Sequence, residues 1–563
     1  MTTPSPRPST PPHLHASMPR GGEAAAPIPP SLYPSISACV DVALRRRPAD
    51  LVVREARLFD LATGELTPAD LALCGGRIAA VGEGYEGAET LDARGLTAVP
   101  GLVDAHCHIE SSLVTPYAWE RQTLPRGVTS AVCDPHELAN VAGAAAIDWF
   151  RACAAGMVSR LQVQVPSCVP ALPSEEAGAA LGAEAIAPYA KDCALAEFMN
   201  VPGVLGKDPD ALAKLAAFSG RPIDGHAPLV GGDALNALCA AGIANDHESS
   251  SVPEALEKVR RGMTVFLRCG SVARNLQTLA PLLTLTLCDR LCLCTDDRDP
   301  LDIRDEGHLD FAIRQAIAVG CDPLAVYRAA CLSPARHFGW RDRGLLAPGF
   351  AADIVLLSDL ADCRVERVLC RGRVVDEACF AARPPEPDTA PFRDTVRCRA
   401  LTACDFAPPC SDRAIGVREG SLLTDDLPAE GDGLARAALV ERHGGSGRIG
   451  RAWVRGFGLT RGALASTVGH DSHNLCVVGA DPESMAAAAN ALRACGGGFA
   501  VAVEGRVTAC LPLPVGGLMS HCPAAEVADA LATLRAAARE TGTPLANPCL
   551  LYTSPSPRDV EES

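Results

Sequence analysis

The chain contains no run of residues long and apolar enough to cross a bilayer, which excludes a membrane-spanning helix. Its first residues are rich in Pro, Ser and His and lack the basic-then-apolar order of a secretory signal. Basic residues are in deficit: 51 Lys and Arg against 67 Asp and Glu leave a formal net charge of −16 at pH 7. That balance argues against a protein that grips nucleic acid, because phosphate binding needs a basic face. No phosphate-binding loop and no dinucleotide fingerprint is present, and the Gly-rich runs read as turns. Cysteine is plentiful at 25 residues, but the spacing of a disulfide framework is missing. The thiols are scattered singly through apolar runs such as CALAEF and LCLC, where they read as small buried hydrophobes kept reduced. These absences predict a soluble, cytoplasmic protein with no membrane and no nucleic-acid partner.

With 563 residues, 48% hydrophobic and 21% charged, the chain is globular and long enough for two or three domains. Residues 1–35, dominated by Pro, Ser and small side chains, are expected to be disordered. Apolar and polar residues alternate around Gly-rich turns in LVVREARLFD and GGRIAAVGEG, which predicts short strands over 36–97. The same texture returns over 341–380, so one small β-sandwich is expected from both flanks of the middle section. That middle section, 98–340, alternates short apolar strands with Ala/Leu-rich helical stretches, as a parallel barrel or a doubly wound sheet does. Beyond the Pro-rich linker ARPPEPDTAPF, residues 391–550 mix strands and helices and read as a separate α/β domain. The Pro/Ser-rich tail, 551–563, is expected to be disordered or artefactual.

Chemistry concentrates first in PGLVDAHCHIESS. Its apolar part predicts a buried strand with His106 and His108 at the C-terminal end. Residues two apart in an extended chain point the same way, so both imidazoles can reach one ion. Barrel enzymes place their active sites at this end of the strands. Alone, a His-x-His pair is weak evidence for metal. Further candidates stand at the ends of later strand-like segments: His136 in CDPHE, Glu197 in ALAEFMN, His226 in IDGHAP, His247 in ANDHESS and Asp296 in LCLCTDD. A single such histidine is more often a hydrogen-bonded core or loop residue. Several of only 13 histidines, in one barrel-like region, make accident a poor explanation.

The order His-x-His, acidic ligand, His, His, Asp resembles the amidohydrolase superfamily. In wording, PGLVDAHCHIESS, DPHELANV, EFMNVPGV, DGHAP, CTDD and VGHDSHNLCVVG are similar to signatures of its bacterial adenine-specific deaminase branch, from roughly Leu51 to Leu518. The resemblance implies a TIM-like (β/α)8 metal-dependent hydrolase barrel over 98–340, the small β-sandwich, and a C-terminal α/β domain typical of that branch. It implies a binuclear divalent metal, manganese, iron or zinc. His106 and His108 would hold the more buried ion, and His226 and His247 the more exposed one. Glu197 would bridge them, where many relatives use a carbamylated lysine; Lys191 precedes the strand end and is set aside. Asp296 would bind metal and carry a proton. The implied substrate is adenine, deaminated to hypoxanthine and ammonia by hydroxide attack at C6, in a homo-oligomer, expected as a homodimer.

A ring nitrogen must be protonated during that attack, and Glu137, His136 and Asp134 of the DPHE motif are the candidates. Their alternative role is to orient the ligands. The HDSHN cluster, His470 to Asn474, either covers the barrel mouth or contacts substrate, or is a turn with Asp and Asn satisfying the backbone. Neither His136-Glu137 nor His247-Glu248 completes a His-Glu-x-x-His zinc helix, and no Pro-Cys-x-x-Cys follows His108-Ile-Glu110. The competing readings are a cyclic-amide hydrolase of the dihydroorotase or hydantoinase kind and a non-catalytic scaffold.

Overall fold

The computed structural model describes residues 32–172, 174–271, 273–418 and 424–547. Of the two segments expected to be disordered, 551–563 and all of 1–35 but its last four residues lie outside that set. Those four open a helix, Leu32–Ala43.

Eight parallel strands carry the middle of the chain: β1 Leu102–His108, β2 Val128–Cys133, β3 Arg160–Val163, β4 Leu195–Phe198, β5 Ile223–Gly225, β6 Asn245–Asp246, β7 Thr264–Arg268 and β8 Leu291–Cys294. The continuous ladders are β1–β2–β3, β4–β5 and β6–β7–β8. Single links join them. Val165, just past β3, bridges to Leu195 of β4, and Ala244 N donates to the Ile223 carbonyl at 2.9 Å. After β8 the chain returns to its start, because Asp296 and Asp297 pair with Cys107 and His108 of β1. This is the (β/α)8 barrel. Its strands β1, β2, β4, β7 and β8 are buried along their whole length, which is why they read as near-continuous apolar runs.

Helices cover the outside, and their ends are written in the sequence. Val252–Arg260 begins where Ser251 accepts from Glu254 N, has proline in its first turn, and ends with Lys258 and Arg260. Asp104, inside β1, accepts from Thr295 N at 3.0 Å and Thr295 Oγ1 at 2.6 Å, and lies 2.8 Å from His308 Nε2. That buried network fastens the end of β8 to β1, where the chain turns into the site.

The two flanks meet in one eight-stranded mixed sheet, joined where Ile354–Asp359 pairs antiparallel with Thr97–Pro100. Leu51 and Val53 pack on one face of it. Val52, pointing the opposite way, packs on the other with Val42 of the N-terminal helix. The C-terminal region is a second eight-stranded sheet, antiparallel apart from the pairing of Arg413–Gly416 with Ile449–Arg455. Helix Pro482–Cys495 buries Met485, Ala488, Ala489 and Leu492 against it. This region docks on the barrel: Ser520 N donates to the Leu113 carbonyl at 2.8 Å, and Arg535 reaches Asp299 at 2.5 Å. No described helix is long and apolar enough to cross a membrane.

Candidate metal centre

All the strand-end candidates come to one place, the C-terminal end of the barrel. His106 and His108 project from β1 to the same side, with their Nε2 atoms 3.1 Å apart. Asp296 Oδ1 lies 3.2 Å from His106 Nε2 and 3.3 Å from His108 Nε2. Glu197, on β4, stands between two groups of imidazoles. Its Oε1 is 3.3 Å from His108 Nε2 and 3.4 Å from His136 Nδ1. Its Oε2 is 3.0 Å from His226 Nδ1 and 3.3 Å from His247 Nε2. One carboxylate thus faces two clusters with one oxygen each. Lys191 ends a short turn at the surface and takes no part.

Burial of this set is nearly complete, with only His226 appreciably exposed, at 21% of its side chain. Burial alone raises a carboxylic acid. Contacts with His108, His226 and His247 outweigh it and hold Glu197 well below the ordinary range. For Asp296 burial is again overcome, by the Arg268 guanidinium and by His106 and His108. Two facing imidazole nitrogens at 3.1 Å repel unless a proton or a cation lies between them. A buried set of imidazoles and ionised carboxylates, convergent at such distances, fits divalent metal.

Asp296 adopts φ 57°, the left-handed region, which is uncommon for a residue with a side chain. That backbone turn directs its carboxylate back over β1. His108 Nδ1 lies 3.0 Å from the Asp134 carbonyl, which fixes that ring's orientation. Asp134 Oδ2 lies 3.1 Å from His136 Nδ1, so His136 is held inside the cluster. Glu137 points elsewhere, towards the C-terminal domain. It pairs with His470 Nδ1 at 2.9 Å and contacts His473 Nε2. The HDSHN segment is a turn, with His473 N donating to the Gly469 carbonyl at 2.9 Å and Asn474 Oδ1 accepting from Arg442 N, and it meets the barrel mouth through His470.

Sequence reasoning missed three residues. Glu248 follows His247 and lies 3.4 Å from its Nε2. Arg268, at the end of β7, donates to Asp296 Oδ2 at 2.9 Å and grips Glu248. Asp297 accepts from Ser111 Oγ at 2.5 Å and lies 3.5 Å from His470 Nε2. A signal for Arg268 existed: a charged residue closing the apolar run TVFL at a strand's C-terminal end.

Residues 97–375 match the model of the amidohydrolase family, the class that barrel and cluster define. Residues 412–554 match the adenine deaminase C-terminal domain. An adenine deaminase of Methylobacterium nodulans is 52% identical over 524 residues, 90% of this chain and 92% of that one. One from Cereibacter sphaeroides is 51% identical over 535 residues, 92% of this chain and 94% of that one. Among solved structures, phenylurea hydrolase B shares 18% identity at a TM-score of 0.44, covering 60% of this chain and 99% of that one. The chain belongs to the adenine deaminase family.

Proposed function

We propose that this chain hydrolyses adenine to hypoxanthine and ammonia at two divalent cations held at the mouth of its barrel. The observation that carries the hydrolytic reading is the single buried cluster of His106, His108, Glu197, His226, His247 and Asp296. Adenine as the substrate rests on the relatives and on the C-terminal domain they share with this chain.

His106 and His108 would hold an inner cation and His226 and His247 an outer one, with Glu197, whose two oxygens face the two groups of imidazoles, within reach of both. Manganese, iron and zinc all suit such mixed ligation. Bound there, divalent cations lower the pKa of water far enough to make hydroxide available near neutral pH. Every further step belongs to the side chains. Asp296 accepts the proton of the attacking water and delivers it to the departing ammonia. Arg268 holds its Oδ2, and its Oδ1 is the oxygen that faces His106 and His108. Attack at C6 pushes electrons into the ring, which must gain a proton at nitrogen. Asp134 fixes His136, whose Nε2 lies 3.5 Å from Glu137 Oε1. His136 and Glu137 are the pair that pass this proton, with His470 and His473 holding Glu137 from the other domain.

The test is metal-free protein reconstituted separately with manganese, iron and zinc and assayed for loss of adenine absorbance and release of ammonia. Turnover with at least one metal is expected. A fully metallated protein that releases no ammonia from adenine would overturn the substrate assignment.

A further inference from the structure

The two histidines on the exposed side of the cluster face a second carboxylate besides Glu197. Glu248 Oε1 lies 3.4 Å from His247 Nε2 and 3.9 Å from His226 Nδ1. His226, His247 and Glu248 form a group able to hold a metal ion in their own right. With Glu197 Oε2 at 3.0 Å and 3.3 Å from the same two nitrogens, four donors surround one position. Two imidazoles and two carboxylates are a common donor set for divalent transition metals.

Glu248 is also held as a ligand would need to be. Its side chain is only 8% exposed, and Arg268 grips both of its oxygens, Oε2 at 3.0 Å. The guanidinium fork suits a carboxylate in this bidentate way and fixes its plane. The same Arg268 holds Asp296 Oδ2 at 2.9 Å, so one cation orients a carboxylate on each side of the site. The backbone is clamped as well. Arg268 N donates to Asn275 Oδ1 at 2.6 Å, and Asn275 Nδ2 donates to the carbonyls of His247 and Ser249, both at 3.0 Å. Asn275 therefore ties strand β7 to the His247–Ser249 segment.

We infer that Glu248 is a fourth protein donor at the His226–His247 position, and that Arg268 is the positioning residue that keeps it there. This rests on the two-cation reading above. It predicts that the outer ion depends on Glu248 and Arg268, while the inner ion at His106 and His108 does not.

Metal-stripped protein is titrated with Mn2+, free ion being followed by electron paramagnetic resonance and bound ion by elemental analysis. Wild type is expected to bind two ions. Glu248→Gln, close to isosteric, keeps the tighter ion and loosens the weaker one about 10- to 100-fold. Glu248→Asp, which retains the charge beside Arg268 but shortens the reach, loosens the same ion. Arg268→Lys, with a point charge in place of the fork, does so by a smaller factor. Circular dichroism confirms that each variant is folded. Two ions bound with unchanged affinity in Glu248→Gln and Glu248→Asp, alongside a lowered unfolding midpoint, would overturn the inference and leave Glu248 as an ion-pair partner only. A wild type that binds a single ion would overturn the two-cation reading itself, and this inference with it.

Discussion

Lys258 Nζ lies 2.9 Å from Asp246 Oδ2, and both side chains are fully excluded from solvent. The same ammonium donates to the Ala227 carbonyl at 2.6 Å and pairs with Glu254 at 2.8 Å. Asp246 in turn accepts from Ala227 N at 2.9 Å. Ala227 follows His226 and Asp246 precedes His247, so the lysine ties the backbone beside one imidazole to the residue beside the other. Burial opposes the charge on Lys258, but Asp246 and Glu254 prevail and raise its pKa. Removing one partner of a buried pair leaves the other charge uncompensated. Lys258→Met is therefore expected to cost about 3–5 kcal/mol in urea unfolding. A loss below about 1 kcal/mol would mean that Asp246 finds another counter-charge.

Asp296 has one oxygen committed to Arg268 and the other directed at His106 and His108. Asparagine preserves its shape but cannot take a proton. Asp296→Asn should lower kcat for adenine about 10²- to 10⁴-fold, the usual contribution of a positioned general base. The unfolding midpoint should move far less than for Lys258→Met. A variant that keeps activity within tenfold of wild type would exclude Asp296 as the proton carrier.

The barrel was legible because strands buried on both faces leave apolar runs, and because His106 and His108 mark the strand end where such barrels carry chemistry. Glu197, His226, His247 and Asp296 were legible for the same reason, each closing a strand-like run. Less legible were partners whose meaning lies in the pairing. Arg268 and Glu248 are ordinary charges until β6 and β7 stand side by side. His470 and Glu137 are 333 positions apart in number, and only domain docking brings them to 2.9 Å. Periodicity reports which face a residue takes, not which distant side chain meets it there.

His470 tests whether the C-terminal domain takes part in the chemistry. Its Nδ1 is 2.9 Å from Glu137, and neither residue lies between the histidine clusters on Glu197. His470→Gln should lower turnover of adenine about 10- to 100-fold, in the range seen when a partner of a reacting group is removed. Metal content should stay at the wild-type value. Elemental analysis beside the ammonia assay separates the outcomes: equal loss of metal and activity would make the segment part of the metal site instead, and unchanged activity would make it a structural cover.

At the start of strands β6 and β7, His337 makes stability depend on pH. Its Nε2 lies 2.9 Å from Asn245 Nδ2, and its Nδ1 lies 3.0 Å from Thr264 Oγ1. Asn245 Nδ2 also donates to Asp224 Oδ1 at 2.6 Å, which identifies it as the amide nitrogen, so His337 Nε2 must accept. A protonated ring would set N–H against N–H. Burial, helped by the nearby Arg290, pushes the His337 pKa down from 6.5 to about 4. The unfolded chain therefore binds a proton over that interval that the folded chain refuses. The stabilisation is complete above about pH 6.5 and is lost as pH falls towards 4. His337→Gln keeps an acceptor for Asn245 and has no proton to take up. Urea midpoints of the two proteins should diverge as pH falls from 7 through 5, with wild type losing more stability than the variant. Parallel profiles would show that His337 is protonated alike in the folded and unfolded chains, and that acid sensitivity resides in other groups.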